Sequence, residues 1–346
     1  MTGSRPKIKT LIADVLLWCA LCALLATGIS NARAVGRMYT PFSLRFDPLI
    51  SGQAAVEARK YSIETGGETF WPSFWSEGTA LFSVEFAEAR ADCIFYSGDA
   101  SLIWPAEYVE GAPPGVTDGN GCAVSEALAH TLWGGTDVVG KIVEADGKER
   151  IVRGVFAGGH ELALIALRDE DTSRSWSAAE LSGGPQDAAR GDADSFASAS
   201  GLGKPENVLA GGGPAFLTGA LAVFPVIILC VYWLILFLGF LGKQSKLAAR
   251  LLPFLLIFIF AAALPRLLDS LPGYLIPSRW SDFSFWSGLI KQAGETLREF
   301  LSAEPALRDV ECKTLLIRQI AFSFFAVCCA VAACFRWHIM ARSGAD

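Results

Sequence analysis

The stretch GCAVSEALAHTLWGGTDVVGKIVEADGKERIVRGVF, from Gly121 to Phe156, is the part of the sequence from which the fold is best predicted. It opens with a short apolar run, after which Ser125 is placed to cap a helix over residues 126–133. Gly134 and Gly135 are expected to end this helix, because glycine enters the left-handed region at little cost. The first half therefore predicts a short helix preceded by an apolar run.

The second half predicts a hairpin. Residues 141–145 and 149–156 are typical of two strands, and Asp146-Gly147 between them is the strongest short-range hairpin signal. The preceding loop, residues 135–141, fits the first part of a phosphate-binding P-loop. However, Ile142 replaces the Ser or Thr that would bind Mg²⁺, and a P-loop lies between a strand and a helix. We therefore interpret the segment as a Gly-bounded loop without a nucleotide site.

Three short motifs of this stretch occur in the order found in one known family. They are Leu132-Trp133-Gly134, Asp137-Val138-Val139-Gly140-Lys141 and Val152-Arg153-Gly154-Val155. By order and spacing they resemble the periplasmic core domain of MacB/FtsX-like ABC transporter permeases. The resemblance covers about 35 of the 346 residues. It implies a fold, an extracytoplasmic α+β domain of the MacB-core type, and no particular chemistry.

Composition independently indicates a membrane protein. Hydrophobic residues make up 52% of the chain and charged residues 18%, and the apolar residues are concentrated in blocks. The net charge of −6 provides no basic face, so nucleic acid is not an expected partner. Four blocks are expected to form transmembrane helices: residues 10–32, 214–241, 251–271 and 318–336.

The distribution of basic residues predicts the topology. The positive-inside rule places three segments in the cytoplasm: residues 1–9, 242–250 and 337–346. Residues 33–213 then form an extracytoplasmic domain, and residues 272–317 an extracytoplasmic loop with an amphipathic helix. Inside the domain, residues 182–203 are rich in Gly, Ala, Ser and Asp, which favours a flexible segment. The fold prediction is a four-helix transmembrane bundle in the cell membrane, with an α+β domain between helices 1 and 2.

The cysteines leave one question open. Cys93 and Cys122 lie outside the apolar blocks, so a disulfide could join them in an oxidising compartment. Their separation is not given by sequence, and both the disulfide and two free thiols remain alternatives. No cysteine pair has zinc-ligand spacing with nearby histidines, of which the chain has three. We expect neither a metal nor a cofactor.

Catalytic signals are weak. His160-Glu161 lacks the second histidine of a zinc-protease helix, and the acidic run of residues 169–171 is typical of a solvated turn. Catalysis needs a nucleophile or metal beside an oriented base, and the sequence displays no such set. We expect no catalytic residues and no enzymatic activity.

The resemblance implies a permease-like subunit of an ABC-type transporter or mechanotransmission complex. In that family a separate cytoplasmic ATPase supplies the energy, and the outer domain moves as the spans shift. The chain would lie in membrane lipid, form a homodimer or heterodimer, and contact the ATPase through Lys243, Lys246 and Arg250. The family's longer Arg-Glu-Ile-Gly…Gly-Ala motif has no counterpart in the short 242–250 connection. The alternative is therefore an ATPase-independent sensor or scaffold that binds a ligand or partner through its outer domain.

Overall fold

A computed structural model of the chain describes residues 5–38, 42–66, 69–185, 188, 190–244, 287, 291, 294, 298 and 306–343. These residues fall into two compact units. The sheet unit is drawn from residues 37–213 and 296–311, and the helical unit from residues 1–36, 214–295 and 312–346. The predicted third span, residues 251–271, lies outside the described residues.

The sheet unit contains one mixed sheet and four helices among its described residues. The strands are β1 (Phe42–Ile50), β2 (Phe70–Val84), β3 (Ala87–Ser97), β4 (Tyr108–Gly111), β5 (Gly121–Ser125), β6 (Ile142–Ala145), β7 (Lys148–Phe156), β8 (Leu162–Ala166), β9 (Trp176–Gly183) and β10 (Asn207–Ala210). The helices are α2 (Gly52–Thr65), α3 (Ala100–Ile103), α4 (Glu126–Trp133) and α5 (Arg190–Ala199). This mixture of strands and helices is the α+β class predicted for the domain.

Six strands close into a barrel. Going round the ring, β2 pairs with β3, β3 with β8, β8 with β5, β5 with β7, and β7 with β6. β6 then pairs back with β2, where Phe82 lies opposite Ala145. The inward side chains are mostly small and aliphatic, with Phe82 and Phe95 as the large ones. Closure leaves these strands with few unpaired edges, which are otherwise sites of aggregation.

The remaining strands extend the sheet beyond the barrel. β2 serves both parts, because residues 74–84 pair with β3 whereas residues 70–75 pair with β9. Beyond β9 the order is β1 and then β10. We call β9, β1, β10 and residues 70–75 of β2 the wing. One face of the wing packs under α2 and α5 through an aromatic cluster in which Phe70 contacts Phe42 and Phe196, with ring centroids 5.8 and 5.7 Å away.

The helix and hairpin predicted for the Gly121–Phe156 stretch are confirmed as α4 and β6–β7, and the apolar run before them forms the strand β5. Ser125 caps α4 by accepting a hydrogen bond from the Leu128 N–H at 3.2 Å. Its hydroxyl also accepts from the Leu162 N–H at 3.1 Å and donates to the His160 carbonyl at 2.6 Å. One serine therefore joins α4 to the start of β8.

Two turns in this stretch use positive φ angles, as predicted. Gly134 ends α4 in the left-handed conformation, with φ of 76°. In the β6–β7 turn, Asp146 and Gly147 have φ of 55° and 72°. Positive φ at both central residues is the requirement of the type I′ turn, whose twist matches that of the flanking strands.

The segment 182–203 differs from the prediction of a flexible segment. It contains α5, whose Ala193, Phe196 and Ala197 are buried in the main core. The low-complexity composition did not indicate this helix, because a single aromatic side chain, that of Phe196, supplies most of its apolar face. The two alanines beside Phe196 let the helix approach the wing closely.

The helical unit contains α1 (Arg5–Met38), α6 (Gly212–Gln244) and α7 (Leu307–Ser343). Within the described residues, these three helices are long and apolar enough to cross a membrane. A chain of hydrogen bonds joins them: Asn31 Nδ2 donates to Gln319 Oε1 at 3.1 Å, Gln319 Nε2 to Ser323 Oγ at 3.2 Å, and Ser323 Oγ to the Leu221 carbonyl at 2.8 Å. Polar side chains of this kind hold membrane helices together.

Candidate functional site

The second face of the wing carries polar residues instead of a continuous apolar core. Along β1, Phe42 and Leu44 enter the main core, whereas Ser43 and Arg45 alternate to the opposite face, as the two-residue period of a strand requires. Glu180 of β9 lies directly opposite Ser43 in the antiparallel register. Strand alternation therefore brings a carboxylate, a hydroxyl and a guanidinium group to one surface.

Glu180 is the centre of this cluster. Its side chain is fully buried, with a relative exposure of 0%. Ser43 Oγ and Trp75 Nε1 donate hydrogen bonds to Oε1 at 2.7 and 2.9 Å, and Arg308 forms an ion pair with the same oxygen. A buried carboxylate is tolerated only when it is paired and hydrogen-bonded, and both conditions are met.

Arg308, the partner of Glu180, belongs to the first turn of α7. It is 4% exposed, and besides Glu180 it donates hydrogen bonds to the carbonyl of Met38, at the end of α1, and to that of Leu102, in α3, the latter at 3.0 Å. One guanidinium group thus connects β9, α1, α3 and α7 inside the sheet unit.

The neighbouring residues strengthen the attachment of α7. Arg45 of β1 forms a 3.0 Å ion pair with Asp309 and stacks over the Trp75 ring at 4.6 Å from its centroid. The Leu307 N–H, one of the donors that a helix N-terminus leaves without a helical partner, donates to Glu77 Oε1. Asp309 in the first turn also has the sign that the helix dipole favours. We call Glu180, Arg308, Arg45 and Asp309 the wing cluster.

The wing cluster explains where α7 begins. The sequence predicted a span from residue 318, whereas the helix starts at Leu307. Ala306 and Leu307 pack against the smaller core of the sheet unit, which includes Trp75, Ile103 and Ala178. A hydropathy pattern finds only the apolar part of a helix, so the charged turn that contacts the wing was assigned to the outer loop. Chemically, the cluster contains paired charges and no poised nucleophile; its role is attachment.

The two cysteines are free, buried thiols, and the disulfide is not formed. Cys93 lies on β3 and Cys122 on β5, with β8 between them. Because neighbouring strands are about 4.8 Å apart, the two Cα atoms are separated by about 10 Å, which is more than the roughly 7 Å limit for a bridge. Burial raises the pKa of each thiol to about 12.

The other residues singled out from the sequence have structural partners or lie elsewhere. The His160 carbonyl accepts from Ser125, and Glu161 accepts from Thr131 at 2.7 Å. Asp169 pairs with Arg59. Among the described residues, no group of three His, Cys, Asp or Glu side chains could hold a metal ion.

The basic residues of the expected ATPase contact remain a prediction. Lys243 lies in the last turn of α6, and Lys246 and Arg250 lie outside the described residues. Of the predicted outer amphipathic helix, Ser287, Lys291, Gly294 and Arg298 are described, and they are helical and exposed. Lys291 and Arg298 are charged residues, as the polar face of an amphipathic helix requires.

Sequence reasoning missed the wing cluster, although one signal was present. The run Phe42-Ser43-Leu44-Arg45-Phe46 alternates between apolar and polar residues and is typical of a half-buried strand. Glu180, in contrast, stands alone among small residues, and its partner is 128 positions further along the chain. No local pattern connects the two.

No family model matches the sequence, and no curated protein matches it. Solved structures that are similar to about half of the chain include three domains of transporter or permease proteins. The extracellular domain of the noncanonical ABC-type transporter YknZ from Gram-positive bacteria is 15% identical; the match covers 49% of this chain and 98% of that one, with a TM-score of 0.39. The periplasmic region of MacB from Actinobacillus actinomycetemcomitans is 9% identical, with 51% and 91% covered and a TM-score of 0.41.

The third is a domain of a protein described as a permease, from Porphyromonas gingivalis. It is 15% identical, with 48% of this chain and 81% of that chain covered and a TM-score of 0.34. MacB is also one of the names of the family that the Gly121–Phe156 stretch resembles. Since these identities and TM-scores are low, the functional proposal rests on the residues of the chain itself.

Proposed function

We propose that the chain is a permease-like integral membrane subunit whose outer domain moves with its membrane helices. The observation that carries this proposal is the buried Glu180–Arg308 ion pair, which attaches the first turn of α7 to the wing. α7 continues from this contact through 37 residues without a break in the helix. A displacement of α7 would therefore reach the sheet unit directly.

The other two membrane helices join the same wing. α1 ends four residues before β1, and α6 begins two residues after β10. The first residue of β1, Phe42, pairs with the last residue of β10, Ala210. All three helices thus connect to the wing, and none of the three is continuous with a strand that belongs only to the barrel. This arrangement suits a domain that receives motion from the membrane.

The orientation and the energy source belong to the proposal. By the positive-inside rule, the basic residues flanking the spans favour cytoplasmic termini and a cytoplasmic 242–250 connection, with residues 33–213 outside. A separate cytoplasmic ATPase, contacting Lys243, Lys246 and Arg250, would supply the energy, and the chain would work as a homodimer or heterodimer. The proposed role requires no catalytic centre in this chain.

Affinity purification in mild detergent tests the ATPase contact. Wild type is compared with the K243A/K246A/R250A variant, and with K60A/K141A/K204A, which removes the same charge from exposed positions of the sheet unit. We expect a P-loop ATPase to co-purify with wild type and the control, and to be lost from the first variant. If no form retains an ATPase, the ATPase-independent sensor or scaffold replaces the permease.

A second measurement tests the mechanical role itself. A fluorophore on the barrel should report an ATP-dependent change in the reconstituted complex. The E180M/R308M variant removes both charges of the ion pair together, so it leaves no unpaired buried charge. We expect it to keep the ATPase but to show a weaker response. An unchanged response would exclude the wing cluster as the route of coupling.

A further inference from the structure

A pocket of about 310 Å³ opens at one end of the barrel, and none of its lining residues belongs to the wing cluster. Its walls come from Gly119 and Asn120, from the start of β7 at residues 148–150, and from residues 167–171 after β8. All of these belong to the sheet unit. The volume is at the lower end of the range for small-molecule sites, roughly 300–1,000 Å³.

Arg150 lines this pocket and is an unusual residue to find there. On β7 it shares a face with Val152, which belongs to the interior of the barrel, since residues two apart on a strand point the same way. Its side chain is accordingly buried, with 5% relative exposure. A guanidinium group therefore occupies a position inside the barrel that would otherwise favour an apolar side chain.

The hydrogen bonds of Arg150 are made to neutral backbone groups and not to a carboxylate. Nη1 donates to the carbonyls of Gly119 and Ala166, at 3.2 and 2.7 Å. Among the described residues, Nε has no hydrogen-bond partner. The two partners of Nη1 are neutral, and burial lowers the pKa of Arg150, with Cys122, Asp146, Asp171 and Cys93 acting in the opposite direction. A buried arginine that donates no hydrogen bond to a carboxylate is costly, and each unsatisfied buried donor requires an explanation.

We propose that the pocket binds a carboxylate group, with Arg150 as its main contact. The Nε–Nη2 edge of a guanidinium group matches the two oxygens of a carboxylate, and such bidentate pairs are among the strongest hydrogen bonds in proteins. Because Nη1 is already engaged with backbone, that edge holds the donors left for a ligand, and Nε, which is buried in the ligand-free chain, becomes accessible only when the ligand displaces the atoms that cover it. This inference is independent of the proposed transport function.

The charged residues at the rim of the pocket favour a ligand with one negative charge over a polyanion. Lys148 and Arg168 add two positive charges, and Glu149, Glu170 and Asp171 add three negative ones. Asp171 is engaged locally, since it accepts from the N–H and hydroxyl of Ser173 at 2.9 and 2.5 Å. A phosphate or polyanion would meet this acidic rim, whereas one carboxylate can reach the buried guanidinium group. A small acid and the C-terminus of a peptide both provide such a carboxylate.

Ligand-induced thermal stabilisation of the full chain in detergent tests the proposal. The probes are N-acetylalanine and a trialanine peptide, each with a free carboxylate and as the amide, together with inorganic phosphate. We expect both free carboxylates to raise the melting temperature at millimolar concentration and both amides to have no effect. The ratio of the two carboxylate affinities then distinguishes a small acid from a peptide terminus. Binding of phosphate in preference to the carboxylates, or equal binding of acid and amide, would overturn the proposal.

Substitutions identify the contact. In Arg150→Met we expect carboxylate affinity to fall about ten- to a hundredfold, while the ligand-free protein melts no lower than wild type, because an unpaired buried charge has been removed. Arg150→Lys keeps the charge but loses the planar guanidinium group, so it should bind the carboxylate with intermediate affinity. It takes the place of Arg150→Met in this test if the methionine variant does not fold. Arg90→Met, at an exposed position of β3, is the matched control. Wild-type affinity in both Arg150 variants would contradict the assignment.

Discussion

The barrel and the wing are parts of one sheet, yet their strands bury different kinds of side chain. Inside the barrel lie small apolar residues, two phenylalanines and two thiols. On the second face of the wing lie Glu180, Arg45 and Trp75, covered by Arg308 and Asp309 from α7. The barrel is completed by residues between 70 and 166, whereas the wing requires a segment more than 100 residues further along the chain.

The barrel and the wing are therefore stabilised in different ways. Apolar packing in a closed barrel depends on many small contacts, none of which requires a particular partner. The wing cluster depends on complementary charges, so removal of one partner leaves the other buried and unpaired. We therefore expect single substitutions in the wing cluster to have the larger effects and to act on the attachment of α7.

The largest effect is expected for Arg308→Met. Glu180 would remain buried without its counterion, and the free energy of unfolding of the sheet unit should fall by about 3–5 kcal/mol. Denaturant titration of the full chain in detergent, followed by tryptophan fluorescence, measures this loss. The double variant E180M/R308M is the control and should lose less than the single variant. A double variant as unstable as the single one would show that the charges are not what the wing cluster contributes.

A smaller effect is expected in the barrel for Ser125→Ala. It removes the cap of α4 and leaves the buried Leu162 N–H without its acceptor, which together cost about 1–3 kcal/mol. Ser195→Ala, at an exposed position of α5, should change stability by less than about 0.5 kcal/mol. The same denaturation experiment serves for both. Equal losses of stability in the two variants would show that the Ser125 hydroxyl does not hold α4 to the start of β8.

Gly147→Ala in the β6–β7 turn should cost about 1–2 kcal/mol, because φ at this position is 72° and a Cβ is strained there. Gly191→Ala in α5, where an added Cβ meets nothing within 4 Å, should instead stabilise by up to about 1 kcal/mol. Melting temperatures of the two variants provide the comparison. A neutral Gly147→Ala would argue against the type I′ turn.

The smallest response is expected from the thiols of the barrel. Since burial raises the pKa of Cys93 and Cys122 to about 12, their thiolate fraction at neutral pH is far below that of an ordinary cysteine. Mass spectrometry should find neither thiol modified by a maleimide in the folded protein and both modified after denaturation. A Ser101→Cys variant, with an exposed thiol, is the labelling control. Rapid modification of Cys93 in the folded chain would show that the barrel opens.

The contrast between the barrel and the wing also explains which parts of the fold could be predicted from the sequence. The caps at Ser125 and Gly134 and the turn at Asp146-Gly147 act within a few residues, so their chemistry can be identified locally. The ion pair of Arg45 and Asp309 joins positions 264 apart, and no periodicity reports such a pairing. Hydropathy likewise located α1 and α6, but for α7 it found the apolar part and not the charged turn that contacts the wing.

The candidate site was therefore harder to predict than the fold around it. Glu180 is one acidic residue in a run of small ones, and Arg308 lies in a polar segment that resembles any surface loop. Only the register of β1 with β9 shows that Ser43 and Glu180 share a face. The burial of Arg150 could not be predicted either, because it follows from the closure of the barrel and not from the neighbouring residues in sequence.

The pairing of Phe42 with Ala210 has a consequence for the history and the engineering of this chain. Directly paired residues on neighbouring antiparallel strands have Cα atoms only about 5 Å apart, so the sheet unit enters and leaves at almost one point. An insertion of this kind can be exchanged between membrane proteins without spreading the helices that receive it. A transplanted module would nevertheless have to include more than residues 42–210, since Arg308 and Asp309 arrive from the far end of the chain. Recombination that moved the contiguous segment alone would leave Glu180 buried without its cation, which favours inheritance of the two segments together.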